Sequence, residues 1–303
     1  MTRLDSTFAV HWYDKKDGID QALASGVMDD DTCNLVQFFF DHGYCIIPAA
    51  LAERQIDKYL EELQALTLSC DDLKVSDGRE IRTIRNSDVL KPGTKILDTI
   101  SIIESGRELA LHETIVKVLM ALFGGQPLAF QSLHFEVGST QALHQDTAYV
   151  VVDQPNSLIA SWIALEDVRT GSGELIYIPG SHRLDDFMYG NGTRKYWDPL
   201  RDGHEIHNHH LWWLSNLPTD DSRTVSERQK FLPRKGDVLL WHADLVHGGN
   251  LIEDGSLTRR SLVTHYTFCR NTPKYFQDLE VKQQVKSRYA NSYYSSYFYP
   301  QFK

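Results

Sequence analysis

Apolar residues recur at helical spacing in the first third of the chain and in short β-type runs after it. Residues 29–43, "DDDTCNLVQFFFDHG", begin with acidic residues suited to a helix N-terminus and stop at Gly43. "YCIIP" follows as a short strand. Over residues 52–68, Ile56, Tyr59, Leu60, Leu63 and Leu66 fall on one helical face. Residues 70–105 read as a loop-rich region, and 107–124 as one amphipathic helix closed by Gly124 and Gly125. A short helix is expected over 18–26, "GIDQALASG", in an otherwise polar and irregular start. From Pro127 the period changes. Residues 128–138, 142–153, 157–167, 173–181, 237–249 and 259–269 are β-type runs punctuated by Gly, Pro, Asn and Asp. Such spacing predicts an antiparallel sandwich or barrel, with a hairpin turn at 169–175, "RTGSGEL".

The pattern predicts a single domain over 1–303. Its parts are a mainly helical 1–126, a β core over 127–272 with an insertion at 184–232, and a tyrosine-rich tail over 273–303. The tail is expected to pack on the domain or on a second copy, as in a homodimer, rather than to line an active site. The insertion is expected to cap the pocket. The net charge of −10, from 41 acidic and 31 basic residues, argues against nucleic acid as partner, since phosphate contacts need a basic face. No apolar run reaches the length of a membrane span, and the first residues lack the apolar region of a secretory signal. Cys33, Cys45, Cys70 and Cys269 have no C-x-x-C spacing and read as reduced packing thiols, so a cytoplasmic location is expected.

Candidate chemistry starts at "ALHQDTAYV", residues 142–150. If this run is a strand, His144 and Asp146 share a face, which is costly unless a proton, a water or a metal pairs with them. Downstream, His247 precedes Gly-Gly-Asn at a strand end. Arg259 and Ser261 are i and i+2 on the next run, with Arg260 pointing the other way. Two histidines and a carboxylate form the facial set that leaves metal positions open and suits Fe(II). A guanidinium on the neighbouring face is made to grip a carboxylate. His134, His182 and His265 are expected to be hydrogen-bonded core or loop histidines. His242, five residues before His247, is expected to face away. His204, His207, His209 and His210 are expected in a solvated loop.

The segments "LHQDTAYV", "SWIALEDVRTGSGELIYIPGSHR", "KGDVLLWHADLVHGGN" and "TRRSLVTHY", with "GYCIIPAAL" upstream, resemble the phytanoyl-CoA dioxygenase family of Fe(II)/2-oxoglutarate-dependent oxygenases. The resemblance implies a mainly β fold with α, a cupin-like jelly roll (double-stranded β-helix) with helices packed on one sheet. It implies Fe(II), 2-oxoglutarate as co-substrate and O2, and a dioxygenase that hydroxylates an unactivated C–H of a small molecule. By the same resemblance His144, Asp146 and His247 match the iron ligands. Arg259, assisted by Ser261, matches the co-substrate carboxylate site, and Gln131 and Trp162 flank it. No lysine stands in "SLHFEVG" where several relatives carry one. Arg183, Tyr149 and Thr147 are the substrate-side expectations, with a salt bridge as the other role for Arg183. Related halogenases replace the carboxylate ligand by a small residue. Asp146 leaves no position for halide, which favours hydroxylation, with desaturation or ring closure left open because they follow the same hydrogen abstraction. Two alternatives stay open: a His/Asp/His zinc hydrolase, in which Arg259 has no role, and a non-catalytic binding protein on the same fold.

Overall fold

The computed structural model describes residues 18, 20–21, 28–69, 72–78, 80–84, 91–154, 156–217 and 227–300. The helix expected over 18–26 falls mostly outside the described residues, as does Cys70. Helix α1 (Asp30–His42) starts where the acidic run places it: Asp29 Oδ1 accepts the Thr32 amide at 2.9 Å. Gly43, at φ +80°, closes it on Phe39 O, and its α-carbon faces the His182 ring with no room for a β-carbon. Strand β1 (Tyr44–Ile47) and helix α2 (Glu53–Ser69) follow. The region read as loop-rich holds β2 (Lys74–Ser76), β3 (Ile81–Thr83), β4 (Lys95–Leu97) and α3 (Thr99–Ile102). Strands of three residues carry too little alternation to show in the sequence. The helix expected over 107–124 is two, α4 (Glu104–Ala110) and α5 (Glu113–Phe123). His112 breaks them apart, in extended backbone and with its ring accepting the Thr114 amide.

The β core contains β5 (Pro127–Phe135), β6 (Leu158–Ala164), β7 (Leu175–Tyr177), β8 (Gln229–Phe231), β9 (Val238–His242), β10 (His247–Gly249) and β11 (Ser261–Phe268). The larger sheet runs β1-β9-β6-β11-β5-β4-β2-β3, and the smaller β10-β7-β8. Residues 169–175 are therefore not a hairpin turn: β6 and β7 lie in different sheets, and the turn carries the chain across. The insertion supplies β8 and α6 (Gly203–Ser215), so His204, His207, His209 and His210 sit on a helix rather than in a solvated loop. The tail forms the hairpin β12 (Ser287–Tyr289) and β13 (Ser292–Tyr294), and β13 extends the sheet parallel to β5.

Alternation along the central strands decides what each face buries. Ile159, Ile163, Leu240, Leu262 and Tyr266 join Val36, Phe39, Ile56, Tyr59 and Leu119 of the helices in one core. Their neighbours Ala160, Trp162, Leu239, Trp241 and Val263 turn toward Leu175, Tyr177 and Phe231 of the smaller sheet. Helices thus cover one face of the large sheet and the small sheet covers the other, as expected of a jelly roll. Among the described residues no helix is long and apolar enough to cross a membrane.

Leu262 is fully buried between β5 and β6 on the helix side. Leu262→Ala should lower unfolding free energy by about 2–5 kcal/mol in urea titration. A loss below about 1 kcal/mol would contradict this placement of the core.

Candidate active site

A cavity of about 540 Å³ opens between the two sheets. Its floor depends on the glycines after His247. A β-carbon on Gly248 would lie 2.7 Å from Gln141 O, and one on Gly249 would lie 2.8 Å from Thr140 N. Without those atoms the segment before His144 lies flat on β10. His144 N then donates to His247 O at 2.9 Å and His247 N to His144 O at 3.0 Å, which sets the two rings 4.3 Å apart.

The expectation of a strand over 142–150 is corrected here. The run is much shorter: His144 forms an isolated bridge, Gln145 is still extended, and the chain then enters a 3-10 turn at Asp146–Ala148. The Tyr149 and Val150 amides return to Asp146 O at 2.9 and 2.8 Å. Gln145, extended at φ −115° and ψ 133°, keeps Asp146 on the side of His144 as alternation predicts, and the turn starts only at Asp146. Asp146 Oδ1 lies 3.6 Å from Nε2 of both His144 and His247.

The protonation states follow from the partners. His144 Nδ1 faces Ala142 O at 2.8 Å and His247 Nδ1 faces Leu245 O at 2.9 Å. A carbonyl only accepts, so each Nδ1 carries the proton and each Nε2 offers a lone pair. Gln141 Nε2 donates to that of His144 at 3.1 Å. Trp241 Nε1 donates to Asp146 Oδ2 at 2.9 Å and leaves Oδ1 to the histidines. Burial opposes charge on Asp146, but His247, His265 and His144 outweigh it and hold the carboxyl well below its usual range. Burial pulls His247 down to about 4. By this hydrogen-bond geometry the group presents one carboxylate and two imidazole Nε2 lone pairs with converging donor atoms. That donor set fits a divalent transition metal such as Fe(II).

Arg259 lines the same cavity at 2% exposure, with its guanidinium over the rings of Phe135 at 5.3 Å and Trp162 at 5.5 Å. Its Nε has no hydrogen-bond partner, and no carboxylate among the described residues pairs with it. Burial lowers it to about 10, partly opposed by Glu174, so it stays cationic. Arg260 faces away and donates from Nε to Glu136 Oε2 at 2.8 Å. Gln131 and Trp162 line the cavity. Ser261 is fully buried on the Arg259 side with an unpartnered Oγ, but is not part of the cavity wall.

Other expectations are corrected. Arg183 is absent from the wall and takes its other expected role, a salt bridge: Nη2 lies 3.7 Å from Asp41 Oδ1 and donates to Phe40 O at 2.6 Å, and the guanidinium covers the Phe40 ring, clamping its turn to α1. Thr147 turns behind the wall and donates to Asp244 Oδ1 at 2.7 Å. No described residue of the insertion, expected to cap the pocket, lines it. The outer wall comes from Ser76, Asp77, Gly78, Ile81, Gly93 and, against the expectation for the tail, Phe298. Tyr149 does line the cavity.

Two residues escaped the sequence. His265 is no satisfied core histidine: its Nε2 stands 3.4 Å from Asp146 Oδ2, and neither ring nitrogen makes a hydrogen bond. Its even spacing from Arg259 and Ser261 was the available signal. Lys95, a second cavity cation 5.9 Å from the Phe135 ring centre, sits on a three-residue strand and had none.

A family model for phytanoyl-CoA dioxygenase matches residues 39–253. The peroxisomal phytanoyl-CoA dioxygenase of Bos taurus is 23% identical over 227 residues, covering 70% of this chain and 61% of that protein. Phytanoyl-CoA dioxygenase 1 of Oryza sativa subsp. japonica is 30% identical over 129 residues, 40% of this chain and 38% of that protein. The chain thus spans less than two thirds of these relatives' lengths. Among solved structures, the epimerase SnoN of nogalamycin biosynthesis aligns at TM-score 0.60 and 19% identity, covering 87% of this chain and 98% of that one. The carbocyclase SnoK aligns at TM-score 0.59 and 20% identity, covering 86% and 95%. These likenesses establish the jelly-roll fold.

Glu136 fixes the outward turn of Arg260 and carries a pH signature. Burial alone would raise its carboxyl, but hydrogen bonds and charge from His134 and Arg260 hold it at about 2, below the ordinary 4.5. Its stabilisation is complete above about pH 4.5 and lost as pH falls through about 2. Glu136→Gln should flatten the acid limb of a stability–pH curve in that window by about 1–3 kcal/mol. An unchanged limb would contradict the pairing.

Proposed function

The chain belongs to the phytanoyl-CoA dioxygenase family, and on that premise we propose that it is a non-haem Fe(II)/2-oxoglutarate-dependent dioxygenase acting on a small molecule. Its reaction would convert substrate C–H, dioxygen and 2-oxoglutarate into substrate C–OH, succinate and carbon dioxide. One observation carries this: a buried guanidinium that pairs with no carboxylate among the described residues shares a cavity with a His/Asp/His donor set. An isolated buried charge is costly, so the site is built to be completed by an anion. A dicarboxylate that also reaches the metal meets that need.

His144 and His247 would hold the metal through Nε2 and Asp146 through Oδ1. When bound, Fe(II) supplies the oxidising chemistry with dioxygen and 2-oxoglutarate. The protein's own part is positional. The carbonyls of Ala142 and Leu245 keep both imidazoles in one tautomer. Trp241 holds the second carboxylate oxygen. Trp162 and Phe135 flank Arg259 and keep water from its faces, while Gln131 and Lys95 add polar contacts. SnoN and SnoK, an epimerase and a carbocyclase, have similar folds. Asp146 fills the position that a halide would need, which argues against halogenation and favours hydroxylation, with desaturation or ring closure open to the same hydrogen abstraction. A zinc hydrolase on the same three ligands would leave Arg259 without an anion.

Purified protein given Fe(II), 2-oxoglutarate and air should release succinate, and omission of dioxygen should stop it. His144→Ala and Asp146→Ala should each abolish metal binding and turnover. Retained turnover in both would remove them from the ligand set. Arg259→Ala should raise the 2-oxoglutarate concentration for half-maximal succinate release about 10- to 100-fold, the worth of charge-assisted hydrogen bonds, with metal affinity unchanged. An unaltered 2-oxoglutarate titration would transfer that role to another residue.

A further inference from the structure

A chain of side chains runs from the turn beside Asp146 through the insertion and back to the cavity, and its hydrogen-bond polarity can be assigned link by link. Gln145 Nε2 donates to Asp244 O at 2.8 Å, so its Oε1 is the atom facing His210 Nε2 at 3.3 Å and must accept. His210 is buried and held down to about 4, chiefly by desolvation, so it is neutral. With its proton on Nε2, its Nδ1 accepts from the Tyr189 hydroxyl at 2.8 Å. That uses the only proton of Tyr189. The contact between Tyr189 Oη and His207 Nδ1, 3.2 Å, must therefore be donated by His207. Burial also lowers His207, and Trp197 stacks on its ring at 4.0 Å and 8°, which fixes the plane. Neutral His207 protonated on Nδ1 accepts at Nε2 from the Tyr149 hydroxyl at 3.1 Å.

Tyr149 ends the chain. It lines the cavity, with its ring 5.7 Å from that of His144. A phenol hydroxyl has one hydrogen to donate. That of Tyr149 points at His207.

We propose that Tyr149 turns hydrogen-bond-accepting lone pairs toward the cavity, in a polarity fixed from Gln145 through His210, Tyr189 and His207, and that the substrate is an alcohol or amine whose O–H or N–H meets it. The substrate part rests on the oxygenase assignment; the polarity does not. The insertion thereby sets the sense of one hydrogen bond at the cavity wall.

Two measurements test it. First, long-range proton–nitrogen NMR of the unliganded protein labelled with 15N-histidine, assigned with His207→Gln and His210→Gln, reads the tautomers at neutral pH. His207 should be the Nδ1–H form and His210 the Nε2–H form; the opposite form in either overturns the polarity, whether or not the protein is an oxygenase. Second, saturation-transfer NMR on protein loaded with redox-inert Zn(II) and 2-oxoglutarate compares cyclohexanol with cyclohexanone, similar in size but donor and acceptor-only. Wild type should prefer the alcohol about tenfold, the worth of one hydrogen bond, and Tyr149→Phe should bring the ratio near one. No preference for the alcohol in wild type, or a preference that survives in Tyr149→Phe, overturns the substrate class. If the protein shows the expected tautomers but releases no succinate, the oxygenase assignment fails and the polarity stands.

Discussion

The site depends on how closely two pieces of backbone can approach. Gly248 and Gly249 leave room for residues 139–142 to lie on β10, and Gly138 packs in the same way on the backbone of Ser172 and Gly173. That approach lets His144 and His247 pair as a bridge although they are far apart in sequence. Once they are paired, the following 3-10 turn has one place to put Asp146, against both Nε2 atoms. Any side chain at either glycine would push the loop away and separate the metal-facing nitrogens.

Buried charge is handled in two ways in this molecule. Lys195 is buried but fully answered, by Asp244 at 2.6 Å and Asp186 at 2.7 Å. Along one face of the segment 259–265 the opposite holds. Arg259 Nε, Ser261 Oγ and both ring nitrogens of His265 are buried without hydrogen-bond partners. A fold that satisfies Lys195 so completely could have satisfied these groups too. Their concentration beside the His/Asp/His group marks a place where local stability is given up for ligand binding.

Much of this was legible in the sequence where period and spacing are long. The strands β5, β6, β9 and β11 were visible as short β-type runs bounded by Gly, Pro, Asn and Asp, and the parity argument separated Arg259 from Arg260. The H-G-G sequence marked His247. Illegible features were short or context-made. β2 to β4 span three residues each, and Lys95 sits on one of them. The tail residue Phe298 reaches the cavity because β13 pairs with β5, which no local pattern encodes. His207 and His210 sit on a weakly amphipathic helix, and their partners Tyr149, Tyr189 and Gln145 are far away in sequence. Strand alternation predicted the proximity of His144 and Asp146, and it holds across the extended Gln145, but the run ends there in a turn that the local sequence does not mark.

The central claim is that the His/Asp/His group and Arg259 form one chelate site. The most direct test is anaerobic absorption spectroscopy of the purified protein titrated first with Fe(II) and then with 2-oxoglutarate. A weak visible charge-transfer band that grows to saturation at one 2-oxoglutarate per iron is expected. Iron bound by the protein with no such band at any 2-oxoglutarate concentration would contradict it.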